Sequence, residues 1–188
     1  MDIYLIRHTR TDTEHGLCYG QSDVPLAESF PDEVKKLKAK LPQLPSDCLI
    51  ISSPLGRCMQ LARTFSGPLS VDQRLQEINF GAWENQRFDD IDPVLLQQWT
   101  ENFVILPPPN GESFGNLYQR VSEFWLELVA NKLVRQVVVI THAGVIRALL
   151  AHVLELKLEY AFMIGVGVGS VHKLRHSNDY TYVDYLNR

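Results

Sequence analysis

The chain has 188 residues, 45% of them hydrophobic and 21% charged, and a net charge of −4 at neutral pH. That is enough chain for a sizeable core, without the basic excess that nucleic acid or an anionic membrane selects. No apolar run nears the ~18 residues of a membrane span. The early acid in "MDIYLIRH" argues against a signal peptide, so a cytoplasmic location is expected. Cys18, Cys48 and Cys58 are odd in number and form no CxxC pair, which excludes a disulfide framework and a zinc knuckle.

In chain order, "DIYLI" is a strand-type run that stops on Arg7 and His8. "DEVKKLKAKL" reads as a helix and "CLIIS" as a second strand. In "SSPLGR", Ser53 suits a helix N-cap and Pro54 the first turn, which would leave Arg57 covering that turn. From Gly81 to Gly111 the composition changes: Trp83, Trp99, an acidic "DDID" and three consecutive prolines. This stretch is expected to be an insertion, at about 81–111, covering one end of the sheet within a single domain over 1–188. A short helix is expected from Pro93 to Asn102. Leu117, Val121, Phe124, Leu128 and Val129 form a helical stripe. "QVVVIT" is the strongest strand signal and "GVIRALLAHVL" a further helix. "VGSVHKL" and "YTYVDYL" read as strands joined in a hairpin across "RHSND". Continuous Val/Ile runs suit strands buried on both faces. Their alternation with helices predicts an α/β domain with a mainly parallel sheet.

Open α/β sheets bind ligands beyond the carboxyl ends of their strands. Here those ends supply Arg7 and His8, then Arg57, then His142. Each has an ordinary reading alone: a solvated strand end, a helix-surface arginine, a satisfied core histidine. Ala143 and Gly144 are small, so the helix after His142 can bring backbone N–H groups close to an anion. Together these features point to a phosphate site. Two arginines and a histidine neutralise a phosphoryl group, while the second histidine attacks phosphorus. The leaving alkoxide needs a proton from a carboxylic acid, and "LQEINFGAWEN" offers Glu77 and Glu84 without choosing between them.

"LIRHTRT", "SSPLGRCMQLA", "EINFGAWE", "NGESFGNLYQRV" and "THAGVIRALL", in that order, resemble the histidine phosphatase superfamily, also called phosphoglycerate-mutase-like. The resemblance covers nearly the whole chain. It implies a three-layer α/β/α sandwich, His8 as the phosphorylated nucleophile and Glu77 as proton donor. It implies that Arg7, Arg57 and His142 hold the phosphoryl oxygens, with no metal or other cofactor. Glu84 is then left as a structural acid, expected to be salt-bridged in its loop. Three positions depart from the family pattern. Thr9 stands for the glycine of RHG, Ala143 for the first glycine of HGG, and Asn85 for the glycine of WEG. None removes a catalytic group.

"CYGQSDVPL" resembles the corresponding loop of α-ribazole phosphatases, the branch that removes a 5′-phosphate in cobalamin nucleotide-loop assembly. Mutases and other phosphatases share part of that pattern, and a plain surface turn at Gly20 is the ordinary alternative. The expected ligand is a small phosphorylated substrate, with Gly20, Gln21, Ser22 and Gly144 as candidate contacts. A mutase needs extra basic groups and a closed, dry site. The insertion here is acidic, which favours water as acceptor; sugar phosphates and nucleotides stay open as substrates. Other classes fit less well. A thiol phosphatase needs five residues between Cys and Arg, and Cys58 to Arg63 leaves four. The "GVGVGS" run has its third glycine one position early for a dinucleotide loop. Asp89, Asp90 and Asp92 read either as a Mg²⁺ cluster or as a solvated helix start. A non-catalytic phospholigand-binding module would have lost His8 or Glu77, and both are present.

Overall fold

The computed structural model describes residues 1–188. Six strands form one sheet in the order β3-β2-β4-β1-β5-β6. The strands are β1 (Asp2–Arg7), β2 (Leu49–Ser52), β3 (Leu69–Val71), β4 (Gln136–Thr141), β5 (Val171–Ser177) and β6 (Tyr180–Tyr185). The first four run parallel, and the β5–β6 hairpin closes one edge antiparallel. The fold is therefore the expected α/β sandwich with a mainly parallel sheet.

Alternation along the strands divides the core into two layers. Ile3, Leu5, Ile51, Val137 and Val139 face α4 (Phe114–Ala130) and α5 (Ala143–Val153). Tyr4, Ile6, Ile50, Val138 and Ile140 face α1 (Phe30–Lys38) and α2 (Gly56–Ala62). Helix α4 begins at a capping box between Ser113 and Asn116 and buries Leu117, Val121, Phe124 and Leu128 of the predicted stripe. α3 spans Pro93–Asn102, its N-terminus capped by the Asp92 carboxylate. No helix is long and apolar enough to cross a membrane.

Three local expectations are corrected. α1 starts two residues earlier than the charge pattern suggested, because Pro31 suits a first helical turn. Arg175–Ser177 extend β5 rather than forming the turn. The reversal is confined to Asn178 and Asp179, both at positive φ (51° and 62°), the two-residue hairpin geometry that Asn and Asp tolerate. Finally, α2 starts at Gly56 with Leu55 in the capping position. Ser53 lies two residues before the cap, its hydroxyl 2.8 Å from His142 Nε2 and accepting the Leu55 N–H at 3.4 Å.

The strand order brings three carboxyl ends together. Because β4 lies between β1 and β2, Arg7 pairs with Thr141, and Ser52 with Ile140. The ladder continues one residue further on each side: the His8 N–H donates to the Thr141 carbonyl at 3.0 Å, and the Ser53 N–H to that of Ile140 at 2.9 Å. Around residues 81–111, Trp83 and Ile91 pack with Cys18 in a small separate cluster, with Trp99 against it.

Candidate active site

His8 is buried at the end of β1. Its Nδ1 lies 2.7 Å from its neighbour Thr9's carbonyl oxygen. A carbonyl only accepts, so Nδ1 carries the proton and Nε2 keeps its lone pair. Burial first, then the Arg57 and Arg7 charges, push the His8 pKa down to about 3, against the Thr9 hydrogen bond. The imidazole is thus a neutral base with its free nitrogen fixed by the backbone.

Two guanidinium groups flank it. Arg7 donates from Nη1 to the Val166 carbonyl at 2.8 Å. Arg57, in the first turn of α2, is 1% exposed and donates from Nη1 to Ser22 O (2.9 Å) and from Nη2 to Gly20 O (2.6 Å). Arg7 Nε, Arg57 Nε and the Thr9 hydroxyl are buried with no protein hydrogen-bond partner. Unpartnered buried donors are costly, and a bound oxyanion would give such donors an acceptor.

His142 occupies the N-cap position of α5. Its ring centroid is 5.2 Å from that of His8. Its Nε2 lies 2.8 Å from Ser53 Oγ. Burial, then the neighbouring His8 and Arg57 charges, hold its pKa well below the usual imidazole range. Cys58 Sγ touches the same ring at 3.4 Å.

Glu77 meets this cluster at the start of α5. Its Oε1 accepts its neighbour Ile78's N–H at 3.0 Å, and its Oε2 the Gly144 N–H at 3.1 Å. A Cβ added at Gly144 would collide with Glu77 Oε1. Gly144 thus makes room for the carboxylate at the start of α5.

Glu84 sits apart from this chemistry and forms no salt bridge, contrary to expectation. Its oxygens accept the N–H groups of Gln21 (2.8 Å), Ser22 (2.9 Å) and Phe80 (3.1 Å), and the Ser22 hydroxyl (2.5 Å). Backbone amides supply what a cation would otherwise supply. Gln21 and Ser22 therefore point their amides at Glu84, and Gln21 Nε2 bonds the Glu77 carbonyl at 3.0 Å. Gly20 is packed so tightly that a Cβ would strike the Ile78 carbonyl. Asn85 has φ of 63°, the left-handed conformation that explains why glycine or asparagine suits this place. In the acidic run, Asp92 caps α3 and Asp89 approaches Arg87 at 3.5 Å.

The structure brings Arg7, His8, Arg57, Glu77, His142 and Gly144 into one site. Three further participants escaped the sequence reading. Ser53 follows β2 as His8 follows β1 and His142 follows β4, and that common position was the available signal. Arg120 and Glu112 form a bracket behind Glu77: Arg120 donates to the carbonyls of Arg74 (2.5 Å), Gln76 (2.8 Å) and Glu77 (3.2 Å), and pairs with Glu112 at 2.5 Å. Their "GES" and distant Arg carry no local signature of that role.

The family model of the histidine phosphatase superfamily (branch 1) matches residues 3–188. The adenosylcobalamin/alpha-ribazole phosphatase of Escherichia coli K12 is 28% identical over 177 residues, covering 90% of this chain and 87% of that protein. Among solved structures, the alpha-ribazole phosphatase from Shigella flexneri superposes with a TM-score of 0.90 at 25% identity, covering 100% of this chain and 96% of that one. A mycobacterial glucosyl-3-phosphoglycerate phosphatase gives a TM-score of 0.83 at 27% identity, covering 99% and 98%.

Proposed function

The chain belongs to the histidine phosphatase superfamily, and on that premise we propose that it hydrolyses small phosphomonoesters through a phosphohistidine at His8. The observation that carries this reading is the His8 Nδ1–Thr9 hydrogen bond, set beside the unpartnered Nε groups of Arg7 and Arg57. Neutral His8 Nε2 attacks phosphorus as the ester P–O bond breaks. Arg7, Arg57 and His142 stabilise the oxygens on which charge accumulates. Glu77 gives its proton to the leaving oxygen, then takes one from the water that cleaves the P–N bond. The two steps return His8 and Glu77 to their starting states and release inorganic phosphate. No metal ion is needed, because the guanidinium groups already supply positive charge.

The favoured substrate is α-ribazole 5′-phosphate, which would place the enzyme in cobalamin nucleotide-loop assembly. The relatives named above support this reading, as does the "CYGQSDVPL" loop. That loop is tied down at both ends of its charge pattern: Arg57 holds the Gly20 and Ser22 carbonyls, and Asp23 accepts the Gly56 N–H at 2.9 Å. A loop held this firmly can shape a pocket. Residues 81–111 act as a cover over the same end of the sheet, a role supported by the seating of Trp83 against Cys18 beside that loop.

Phosphate release from α-ribazole 5′-phosphate, 3-phosphoglycerate, sugar phosphates, nucleotides and p-nitrophenyl phosphate tests the proposal, together with phosphopeptide mapping of quenched turnover under alkaline conditions, in which a phosphohistidine survives. Label on His8, and its loss with activity in His8→Ala, is the expected result. Activity in His8→Ala, or label elsewhere, removes the mechanism. Failure on α-ribazole 5′-phosphate alone removes only the substrate.

A further inference from the structure

We propose that Arg147 and Phe162 form a subsite for the aromatic part of the leaving group, beside the Glu77 carboxylate; this rests on the phosphomonoesterase reading and extends it to substrate class. Arg147 lies one turn along α5 from Gly144, whose N–H contacts Glu77. One strap of chain holds this arginine and the phosphate-site arginine. The Ile164 carbonyl accepts Arg147 Nε at 3.1 Å, and the Val166 carbonyl accepts Arg7 Nη1 at 2.8 Å. Arg147 therefore sits next to Arg7 but on the proton donor's side, where a leaving group must lie. Burial lowers the Arg147 pKa, with Glu77 opposing and Arg7 reinforcing the shift, which agrees with a place between the two.

Its surroundings decide what it can recognise. Arg147 has no carboxylate within salt-bridge distance, and its guanidinium carbon stands 4.8 Å from the Phe162 ring centroid. A guanidinium stacked on one face against a ring leaves its other flat face for a second π-system. Phe162 is itself 48% exposed, although it packs against Phe103 at 4.9 Å and Phe114 at 5.4 Å. Met163, one residue before the carbonyl that holds Arg147, is 82% exposed; Ile105, two residues after Phe103, is 79% exposed. A half-exposed Phe162 ring with the Arg147 guanidinium over it suits a flat, weakly polar ring. The pair suits a carboxylate poorly, since Glu77 already balances part of the Arg147 charge. The leaving group this subsite suits is thus one that carries an aromatic ring.

The test compares kcat/KM for α-ribazole 5′-phosphate and adenosine 5′-phosphate with that for ribose 5-phosphate, which has the same ester carbon but no ring. Wild type, Arg147→Lys and Phe162→Leu are measured. Lysine keeps the charge and loses the flat face; leucine keeps the core contact and loses the ring. Wild type is expected to favour at least one aromatic riboside over ribose 5-phosphate by about 10-fold or more. Either substitution should cut that ratio by about 3- to 20-fold. The ratio is insensitive to how much of each variant is folded. Equal rates for ring-bearing and ring-free esters in wild type overturn the subsite while the phosphomonoesterase reading stands. So does a ratio unchanged in both variants, or an Arg147→Lys loss that falls mainly on 3-phosphoglycerate. Release of phosphate from none of these esters, p-nitrophenyl phosphate included, overturns both.

Discussion

At the scale of single residues, Gly144 acts by what it lacks. Its N–H holds Glu77, and any side chain there would push the carboxylate away. Gly144→Ala is expected to lower kcat for an alkyl phosphate about 10- to 100-fold, and to affect p-nitrophenyl phosphate, whose leaving group needs no proton, far less. Thermal unfolding should show the fold retained, since alanine favours a helix interior over glycine. Arg57 poses the opposite case, a side chain with too many duties to replace. Two of its nitrogens anchor loop carbonyls and the third is buried without a protein partner, free for the proposed phosphoryl group. Arg57→Lys keeps the charge but not the fork, so kcat/KM should fall about 10- to 100-fold in steady-state assays. Unchanged kinetics would place Arg57 outside the site. The residues that end strands were legible because a charge after an apolar run is a strong local contrast. Ser53 was misread because serine before proline carries a helix-cap signal, and only the third dimension shows His142 competing for its hydroxyl.

At the scale of elements, the chemistry rests on α4 as much as on the strand ends. Arg120 on α4, paired with Glu112 just before it, clamps the carbonyls of Arg74, Gln76 and Glu77, so the proposed proton donor, Glu77, hangs from a bracket. Arg120→Lys removes donors from buried carbonyls and loosens that segment. The alkyl-to-nitrophenyl rate ratio should drop by about 10-fold, alongside a lower Tm; an equal loss on both esters would show a stabilising role only. Elements were largely readable from pattern. The α4 stripe, α3 and the Val-rich β4 follow from periodicity, proline placement and length. What could not be read was pairing across distance. That β4 rather than β2 lies beside β1 is a property of strand order, which no local window encodes.

At the scale of the whole molecule, the fold holds several imidazoles neutral. His8 is depressed to about 3, His172 to about 4 and His142 well below its usual range, in each case mainly through burial. In the unfolded chain the same groups titrate near 6.5. Between the folded and unfolded values the unfolded state binds more protons, so stability is full above about pH 6.5 and is lost as pH falls toward 4. Well below pH 6.5 each such histidine contributes a slope of about 1.4 kcal/mol per pH unit. Urea unfolding at pH 7, 6 and 5 should therefore give falling midpoints. A midpoint that holds constant over that range would mean these histidines accept protons within the fold.

The position of β1 has a consequence for how the protein is made. It is made before the other five strands of this sheet, yet both its neighbours, β4 and β5, are encoded far downstream. At translation rates of about 5–20 residues per second, Ile3–Ile6 wait roughly 7–30 s before residues 136–141 exist to pair with them. During that interval the nascent chain carries a bare apolar segment of the kind chaperones hold. His8, Arg57 and His142 can therefore come together only after β4 has been made.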